Sequence, residues 1–149
     1  MRDDLPTAVV DPVAGNNNST ESMTVGSADS DGDGVPDASD CSPGDGTLWA
    51  VPSEATDLIF PNAADPALLQ WRAPSSPGGT VVRYDLLRSA VPASFSSAVC
   101  LAADITSTTA TDLTPPTAIL YFLVRSENPC GGNLGTRSDG APRTAGPCP

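Results

Sequence analysis

An acidic run in the first third of the chain places carboxylates at regular intervals. Residues 29–40 read Asp-Ser-Asp-Gly-Asp-Gly-Val-Pro-Asp-Ala-Ser-Asp, so acids stand at positions 1, 3, 5, 9 and 12. A calcium ion takes six to eight oxygen ligands at about 2.3–2.6 Å, and alternate residues of a curled loop can aim their oxygens at one point. Gly34 stands at position 6, where such a loop turns sharply. The run therefore predicts a calcium loop rather than a solvated acidic linker.

The predicted calcium ligands are five carboxylates and the backbone carbonyl at position 7. They are Asp29, Asp31, Asp33, Val35, Asp37 and Asp40. Without a cation these carboxylates repel one another, so the loop is expected to be ordered by its ion. Pro36 at position 8 and the lack of flanking amphipathic helices distinguish the run from a helix-loop-helix calcium site.

The same run resembles a thrombospondin type 3 repeat over about residues 29–41. The pattern of that family, Asp-x-Asp-x-Asp-Gly-x-x-Asp-x-x-Asp-Cys, is matched at each position and ends at Cys41. The resemblance implies that the bound ion is calcium and that the chain is secreted, as in bacterial surface proteins.

Composition excludes several classes of function. The 149 residues are 39% hydrophobic, enough for one domain of about 100 residues with extensions. The net charge is −11 and the seven basic residues are all Arg, which argues against nucleic acid and anionic membranes as partners. The chain has no His, so it has no Ser-His or Cys-His dyad, and no carboxylate pair stands apart from the calcium ligands. We therefore expect a protein that is not an enzyme.

Four widely spaced cysteines indicate disulfides. They are Cys41, Cys100, Cys130 and Cys148, and without His or a Cys-x-x-Cys pair a zinc site is not expected. Two disulfides indicate an oxidising, extracellular or cell-surface location, and the sequence leaves all three pairings open. No apolar run is long enough to span a membrane or to form a signal peptide core, so we expect a mature secreted form or an excised piece.

We divide the chain into three parts. Residues 1–28 form an extended apolar segment (5–14) followed by an Asn-rich linker, residues 29–52 the calcium loop and connector, and residues 53–149 a β-domain with a C-terminal tail. Asn17 and Asn18 each begin an acceptor sequon for N-linked glycan. In a bacterium, a plain Asn-rich linker is the simpler interpretation.

Short runs of β-forming residues recur through the third part. They cover residues 56–60, 67–71, 81–87, 98–101, 108–113 and 119–125, and Pro- and Gly-rich turns separate most of them. Short strands at such spacing predict an all-β sandwich or barrel.

Three of these runs resemble strands of a fibronectin type III domain, over about residues 53–144. The second strand is matched by Leu-Gln-Trp-Arg-Ala-Pro at 69–74, the third by Tyr-Asp-Leu-Leu-Arg at 84–88, and the sixth by Phe-Leu-Val-Arg-Ser-Glu-Asn at 122–128. The resemblance implies a seven-strand immunoglobulin-like sandwich. Its topology also implies the disulfide pairs Cys100–Cys130 and Cys41–Cys148.

Alternation along these strands assigns their faces. The side chains expected between the sheets are Leu69, Trp71, Tyr84, Leu86, Leu120, Phe122 and Val124, and those expected outside are Gln70, Asp85, Leu87, Tyr121, Leu123 and Arg125. Leu87, Tyr121 and Leu123 would form an apolar strip on the outer face, which indicates a covered or partner-binding surface.

Two functions fit these features. The first is a non-enzymatic, calcium-stabilised module of a surface appendage or filament. In this function, residues 5–14 add as a strand to the next subunit and produce a head-to-tail homopolymer, or the module contacts other surface proteins. The alternative is a monomeric binding or spacer module of a secreted enzyme or adhesin. A binding module would use loop aromatics for a carbohydrate or protein ligand, and Trp49 and Phe95 are the candidates.

Overall fold

A computed structural model describes residues 27–92, 94–115 and 117–148. Within these ranges it contains seven strands in two antiparallel sheets and no helix, which confirms the prediction of an all-β domain. Accordingly, the described ranges contain no helix that could cross a membrane. The apolar segment 5–14 and the sequons at Asn17 and Asn18 lie outside the described residues.

The strands are unequally divided between the sheets. In chain order they are β1 (Thr56–Ile59), β2 (Leu68–Arg72), β3 (Arg83–Ser89), β4 (Val99–Ile105), β5 (Thr109–Thr111), β6 (Tyr121–Asn128) and β7 (Gly131–Asn133). One sheet has the order β1-β2-β5 and the other has the order β4-β3-β6-β7. We call the end with the β2–β3 connection and the β6–β7 turn the upper end, and the end with the β1–β2 and β5–β6 connections the lower end.

Six of the seven strands overlap the runs predicted from the sequence, in the predicted order. The seventh, β7, lies outside the predicted runs because it consists of two glycines and an asparagine. It is held through its backbone, since Gly132 pairs with Glu127 and Asn133 with Ser126 of β6. Side-chain patterning could not reveal a strand that is held in this way.

The core between the sheets consists of five buried side chains from β2, β3 and β6. They are Leu69, Trp71, Tyr84, Leu86 and Val124. All five belong to the set that alternation predicted to face inward. The Trp71 and Tyr84 rings meet edge to face with centroids 5.7 Å apart. Phe122 packs against this cluster, and Leu120, which precedes β6, is only partly buried.

The outer face of the four-stranded sheet is also covered. Leu87 and Asp85 are only 1% and 2% exposed, although alternation directs them away from the core. The cover is the C-terminal segment: the Gly146 N–H donates to the Phe95 carbonyl, and the Gly146 carbonyl accepts from Arg125. Alternation therefore predicted the correct face for Asp85 and Leu87. It could not predict their burial, because that depends on the C-terminal segment, which lies outside the strands.

A buried ion pair lies under this cover. Arg125 Nη1 is 3.1 Å from Asp85 Oδ2, and the Asp104 N–H donates to Asp85 Oδ1 at 3.0 Å. Arg125 Nη2 donates to the Gly146 carbonyl at 2.7 Å. Because each of these charged groups has hydrogen-bond partners, the pair tolerates burial and holds the C-terminal segment in place.

The disulfides join Cys41 to Cys130 and Cys100 to Cys148, so the expected pairs Cys100–Cys130 and Cys41–Cys148 are wrong. Cys100 lies near the start of β4, at the lower end, because its neighbour Val99 pairs with Arg88 near the end of β3. Cys130 lies in the β6–β7 turn at the upper end. The two residues are therefore at opposite ends of the sandwich. The presence of two disulfides indicates an oxidising environment.

Glu127 lies beside the buried ion pair, and its titration provides a test of this arrangement. Burial raises the pKa of the Glu127 carboxyl, and repulsion from Asp85 adds to the increase. A carboxyl with a higher pKa in the folded state opposes folding once it is ionised, and this cost disappears as the pH falls through the raised pKa towards the unfolded value of about 4.3. Glu127→Gln should therefore raise the free energy of unfolding at pH 7, and this gain should shrink by pH 4.

Urea unfolding of the parent and variant at both pH values measures the effect. Glu54→Gln is the matched control, because Glu54 is partly exposed and lies 3.9 Å from Arg143. Its effect should stay within about 0.5 kcal/mol at either pH. Equal stability of the parent and Glu127→Gln at pH 7 would show that the pKa of Glu127 is not raised in the folded state.

Candidate metal centre

The structure brings the first three predicted calcium ligands together. One carboxylate oxygen from each of Asp29, Asp31 and Asp33 lies within 4.8 Å of the other two. Their spacing of two residues allows this because the chain curls tightly between them. The arrangement gathers three oxygen donors of the type that hard cations prefer.

Two glycines and one carboxylate shape the curl. Gly32 and Gly34 have φ angles of +77° and +95°, in the left-handed region that other residues rarely adopt. Their N–H groups donate to the two oxygens of Asp29 at 2.9 and 3.1 Å. The Val35 N–H donates to Asp33 Oδ1 at 2.7 Å. The backbone of the loop is thus folded around its own acidic side chains.

Three carboxylate oxygens in this loop are buried and lack a hydrogen-bond partner among the described residues. They are Oδ2 of Asp31, Oδ2 of Asp33 and Oδ2 of Asp40. An unpaired buried carboxylate oxygen is costly, because it loses hydration without gaining a donor. A cation bound among these oxygens would remove that cost. The donor set therefore fits a metal ion that takes oxygen ligands.

The remaining predicted ligands have different surroundings. Both oxygens of Asp37 accept hydrogen bonds at 2.7 Å from Ser30, one from its N–H and one from its hydroxyl. This carboxylate links the start of the loop to its second half. The second oxygen of Asp40 accepts from the Ser42 N–H at 2.7 Å. Val35 is half-buried in the loop.

The turn that follows the loop packs against it. A Cβ added at Gly46 would lie 3.3 Å from the Asp31 carbonyl oxygen and 3.8 Å from the Cβ atoms of Asp31 and Asp33. The neighbouring Asp45 accepts hydrogen bonds from the Thr47 hydroxyl and N–H, which lower the pKa of its carboxyl. These contacts fix the turn as one wall of the candidate metal centre.

The loop is joined to the upper end of the sandwich. Beyond the Cys41–Cys130 disulfide, the N–H groups of Trp49 and Ala50 both donate to the Gly78 carbonyl at 2.9 Å. Gly78 belongs to the β2–β3 connection, and Cys130 to the β6–β7 turn. Two neighbouring loops of the sandwich therefore hold the acidic loop and its connector.

Polar side chains of β6 and β7 hold the connector between the loop and β1. Asn128 donates to the Ala50 carbonyl at 2.8 Å, Asn133 to the Pro52 carbonyl at 3.1 Å, and Ser126 to the Ser53 carbonyl at 2.6 Å; we call these three side chains the polar clamp. The clamp could not be predicted from the sequence, because Asn and Ser near a Pro-Cys-Gly-Gly sequence look like ordinary turn residues.

The two aromatic residues considered for ligand binding are not freely exposed. Phe95 is 9% exposed and hydrogen-bonds to the C-terminal segment through its carbonyl. Trp49 is half-buried, in the connector that Gly78 holds. Neither residue forms a projecting aromatic surface of the kind that a carbohydrate-binding loop would use.

Comparison with protein-family models and with curated proteins gives no match to this chain. The interpretation of the centre therefore rests on its own geometry. Its decisive features are the three gathered carboxylates, the buried oxygens without partners, and the attachment to the upper end of the sandwich.

The attachment of the loop depends on Gly78. Its φ of +65° lies in the left-handed region, and a Cβ there would collide with the Ala50 carbonyl oxygen. Gly78→Ala should therefore lower the free energy of unfolding by about 2–4 kcal/mol, measured by urea unfolding. Gly44→Ala is the control, because a Cβ at Gly44 has no neighbour within 4 Å. An effect at Gly78 no larger than at Gly44 would show that this close approach is unimportant.

Proposed function

We propose that this chain is a non-enzymatic extracellular structural protein in which calcium stiffens the junction between the β-domain and the chain that precedes it. The observation that carries the proposal is the set of buried, unpartnered carboxylate oxygens of Asp31, Asp33 and Asp40. They lie in a loop whose residue spacing is that of a calcium site.

The donor chemistry favours calcium over other metals. The candidate ligands are oxygens, the chain has no His, and its four cysteines are paired in disulfides, so the ligands that zinc and copper prefer are lacking. Magnesium demands a smaller, near-ideal octahedral shell and retains water. A flexible loop with several carboxylates suits the larger and less demanding calcium ion.

The anchoring contacts explain how ion binding would act on the rest of the protein. The disulfide, the Gly78 contacts and the polar clamp connect the loop and its connector to β6 and β7, to their turn and to the β2–β3 connection. Binding of calcium would neutralise charge in the loop and hold its two halves together. The segment before residue 29 would then leave the domain in a fixed direction.

The family assignments belong to this proposal. Strands one, two and five form one sheet, and strands three, four, six and seven form the other, which supports a fibronectin type III-like sandwich. The residue pattern at 29–41 supports a thrombospondin type 3-like repeat. Both types of module are consistent with a secreted bacterial surface protein.

A spacer module is the alternative function, and the same anchoring favours it. A rigid junction would hold a neighbouring domain at a set angle without any association between copies. The half-burial of Trp49 and the burial of Phe95 weigh against the ligand-binding form of this alternative.

Calcium should stabilise the full chain and bind through the central carboxylates. At concentrations well above the dissociation constant, we expect a gain of about 1–3 kcal/mol, or roughly 5–15 °C in melting temperature. Asp33→Asn should weaken calcium binding roughly tenfold or more, because it removes a charged ligand. Thermal unfolding with calcium or chelator measures the first effect, and isothermal titration calorimetry measures the second.

Asp65→Asn is the matched control for this experiment. It also removes one carboxylate, but Asp65 lies in the β1–β2 connection at the lower end, away from the acidic loop. Its calcium affinity should equal that of the parent. Identical melting curves for the parent in calcium and in chelator would overturn the proposed function.

The Cys41–Cys130 disulfide should matter for calcium binding as well as for stability. Replacing both cysteines by Ser should cost about 4–5 kcal/mol on the chain-entropy model, given their separation of 89 residues. Calcium affinity should also fall, because the end of the loop loses its covalent anchor. The Cys100→Ser/Cys148→Ser variant should cost a similar free energy and leave calcium affinity unchanged. Calorimetry on both folded variants distinguishes these outcomes, and equal affinities would show that the anchor does not support the site.

A further inference from the structure

An apolar groove opens between the two sheets at the lower end of the domain. Its cavity volume is about 470 Å³, and its main lining residues are Phe60, Ala67, Leu113, Leu120 and Phe122. Phe122 lies in β6, and the other four come from the ends of the β1–β2 and β5–β6 connections. The groove exists because β5 has three residues and the chain beyond it does not continue the sheet.

The groove exposes apolar side chains that the sandwich itself does not cover. Leu113 is 84% exposed and Phe60 is 50% exposed. Phe60 and Phe122 meet edge to face with centroids 5.6 Å apart, which connects the mouth of the groove to the core. An apolar surface of this kind marks a binding site for another apolar segment.

The groove carries little uncompensated charge in a strongly acidic protein. Asp112 lines it, but Arg88 Nη1 is 2.7 Å from the Asp112 carboxylate, and both side chains are largely buried. Burial alone would raise the pKa of Asp112, but hydrogen bonds from Arg88 and Thr114 lower it, so this carboxyl stays ionised and paired. The one carboxylate among the described lining residues is therefore paired, so the lining itself presents an apolar surface to a second acidic chain.

We infer that residues 5–14 of a second copy of this chain occupy the groove. This segment reads Leu-Pro-Thr-Ala-Val-Val-Asp-Pro-Val-Ala, which is the most apolar stretch before the acidic loop. Its small aliphatic side chains suit a groove lined by Phe, Leu and Ala. Pro6 and Pro12 favour an extended backbone, the form in which a segment can lie along a groove.

The groove and the first described residue lie at opposite ends of the domain. This arrangement favours a segment from a second copy, rather than from the same chain, as the occupant of the groove. The described structure begins at Ser27, next to the acidic loop at the upper end, whereas the groove is at the lower end. β6 alone has eight residues, so the two ends are separated by at least about 23 Å. Residues 15–26 span at most about 40 Å when fully extended, so occupation of its own groove would use more than half of that length.

Head-to-tail docking would make an open chain of copies, because each copy presents a segment at one end and a groove at the other. This inference deepens the structural role proposed above and rests on it. The calcium-dependent melting temperature is read on the same samples, so a failure of the docking inference is distinguishable from a failure of the calcium proposal.

The experiment uses two full-length variants with complementary defects, studied by sedimentation velocity in calcium. Leu113→Asp alters the groove at a side chain exposed enough to leave the fold intact, and Val9→Asp/Val10→Asp alters the segment. The parent should associate increasingly with concentration, whereas the association constant of each variant alone should fall at least about thirtyfold. An equimolar mixture of the two variants should form one-to-one dimers and nothing larger, because only one intact segment and one intact groove remain to meet.

Val99→Asp is the matched control, because Val99 is 50% exposed and lies outside the lining of the groove. It should associate like the parent. Three results would overturn the inference: a parent that stays monomeric at all concentrations, variants that associate as strongly as the parent, or a mixture that stays monomeric. The last result, combined with an associating parent, would show that the two sites do not meet directly.

Discussion

The covalent link between Cys41 and Cys130 determines how the two halves of this molecule act on each other. It joins Cys41, the residue directly after the acidic loop, to the turn between β6 and β7, across a sequence separation of 89 residues. Gly78 and the polar clamp then hold the connector that follows this link through hydrogen bonds to its backbone. The loop is consequently attached firmly to the β-domain. Repulsion among its carboxylates therefore cannot separate the loop from the sandwich.

The small core explains why the C-terminal segment is needed. Among the residues that the structure describes, five side chains form the buried cluster between the sheets, and 5% of all residues are aromatic. The segment that ends at Cys148 adds a further layer by covering Leu87 and the Asp85–Arg125 ion pair on the outer face. Apolar burial on this face, a paired charge and a disulfide thus supplement a core that is modest for a domain of this size.

Much of the fold could be predicted from residue patterns, and the errors have physical causes. Alternation placed Leu69 and Trp71 correctly, because one side of each strand must meet the opposite sheet. It could not reveal that the C-terminal segment covers the outer face of the four-stranded sheet. Nor could it reveal β7, which is held to β6 by backbone hydrogen bonds. The disulfide pairing failed because it depends on which end of the sandwich each cysteine reaches. Within the candidate site, spacing predicted the approach of Asp29, Asp31 and Asp33, but not that Asp37 would bind Ser30.

The two ends of the domain differ in a way that gives it a direction. The upper end receives the chain and concentrates negative charge around buried oxygens, whereas the lower end exposes apolar side chains beside a neutralised Asp112. A contact between two upper ends would place two acidic loops together, which repulsion disfavours. A contact between unlike ends brings an apolar segment to an apolar groove and keeps the acidic loops apart. The distribution of charge along the sandwich is therefore consistent with the head-to-tail docking that we infer from the entry point of the chain and the position of the groove.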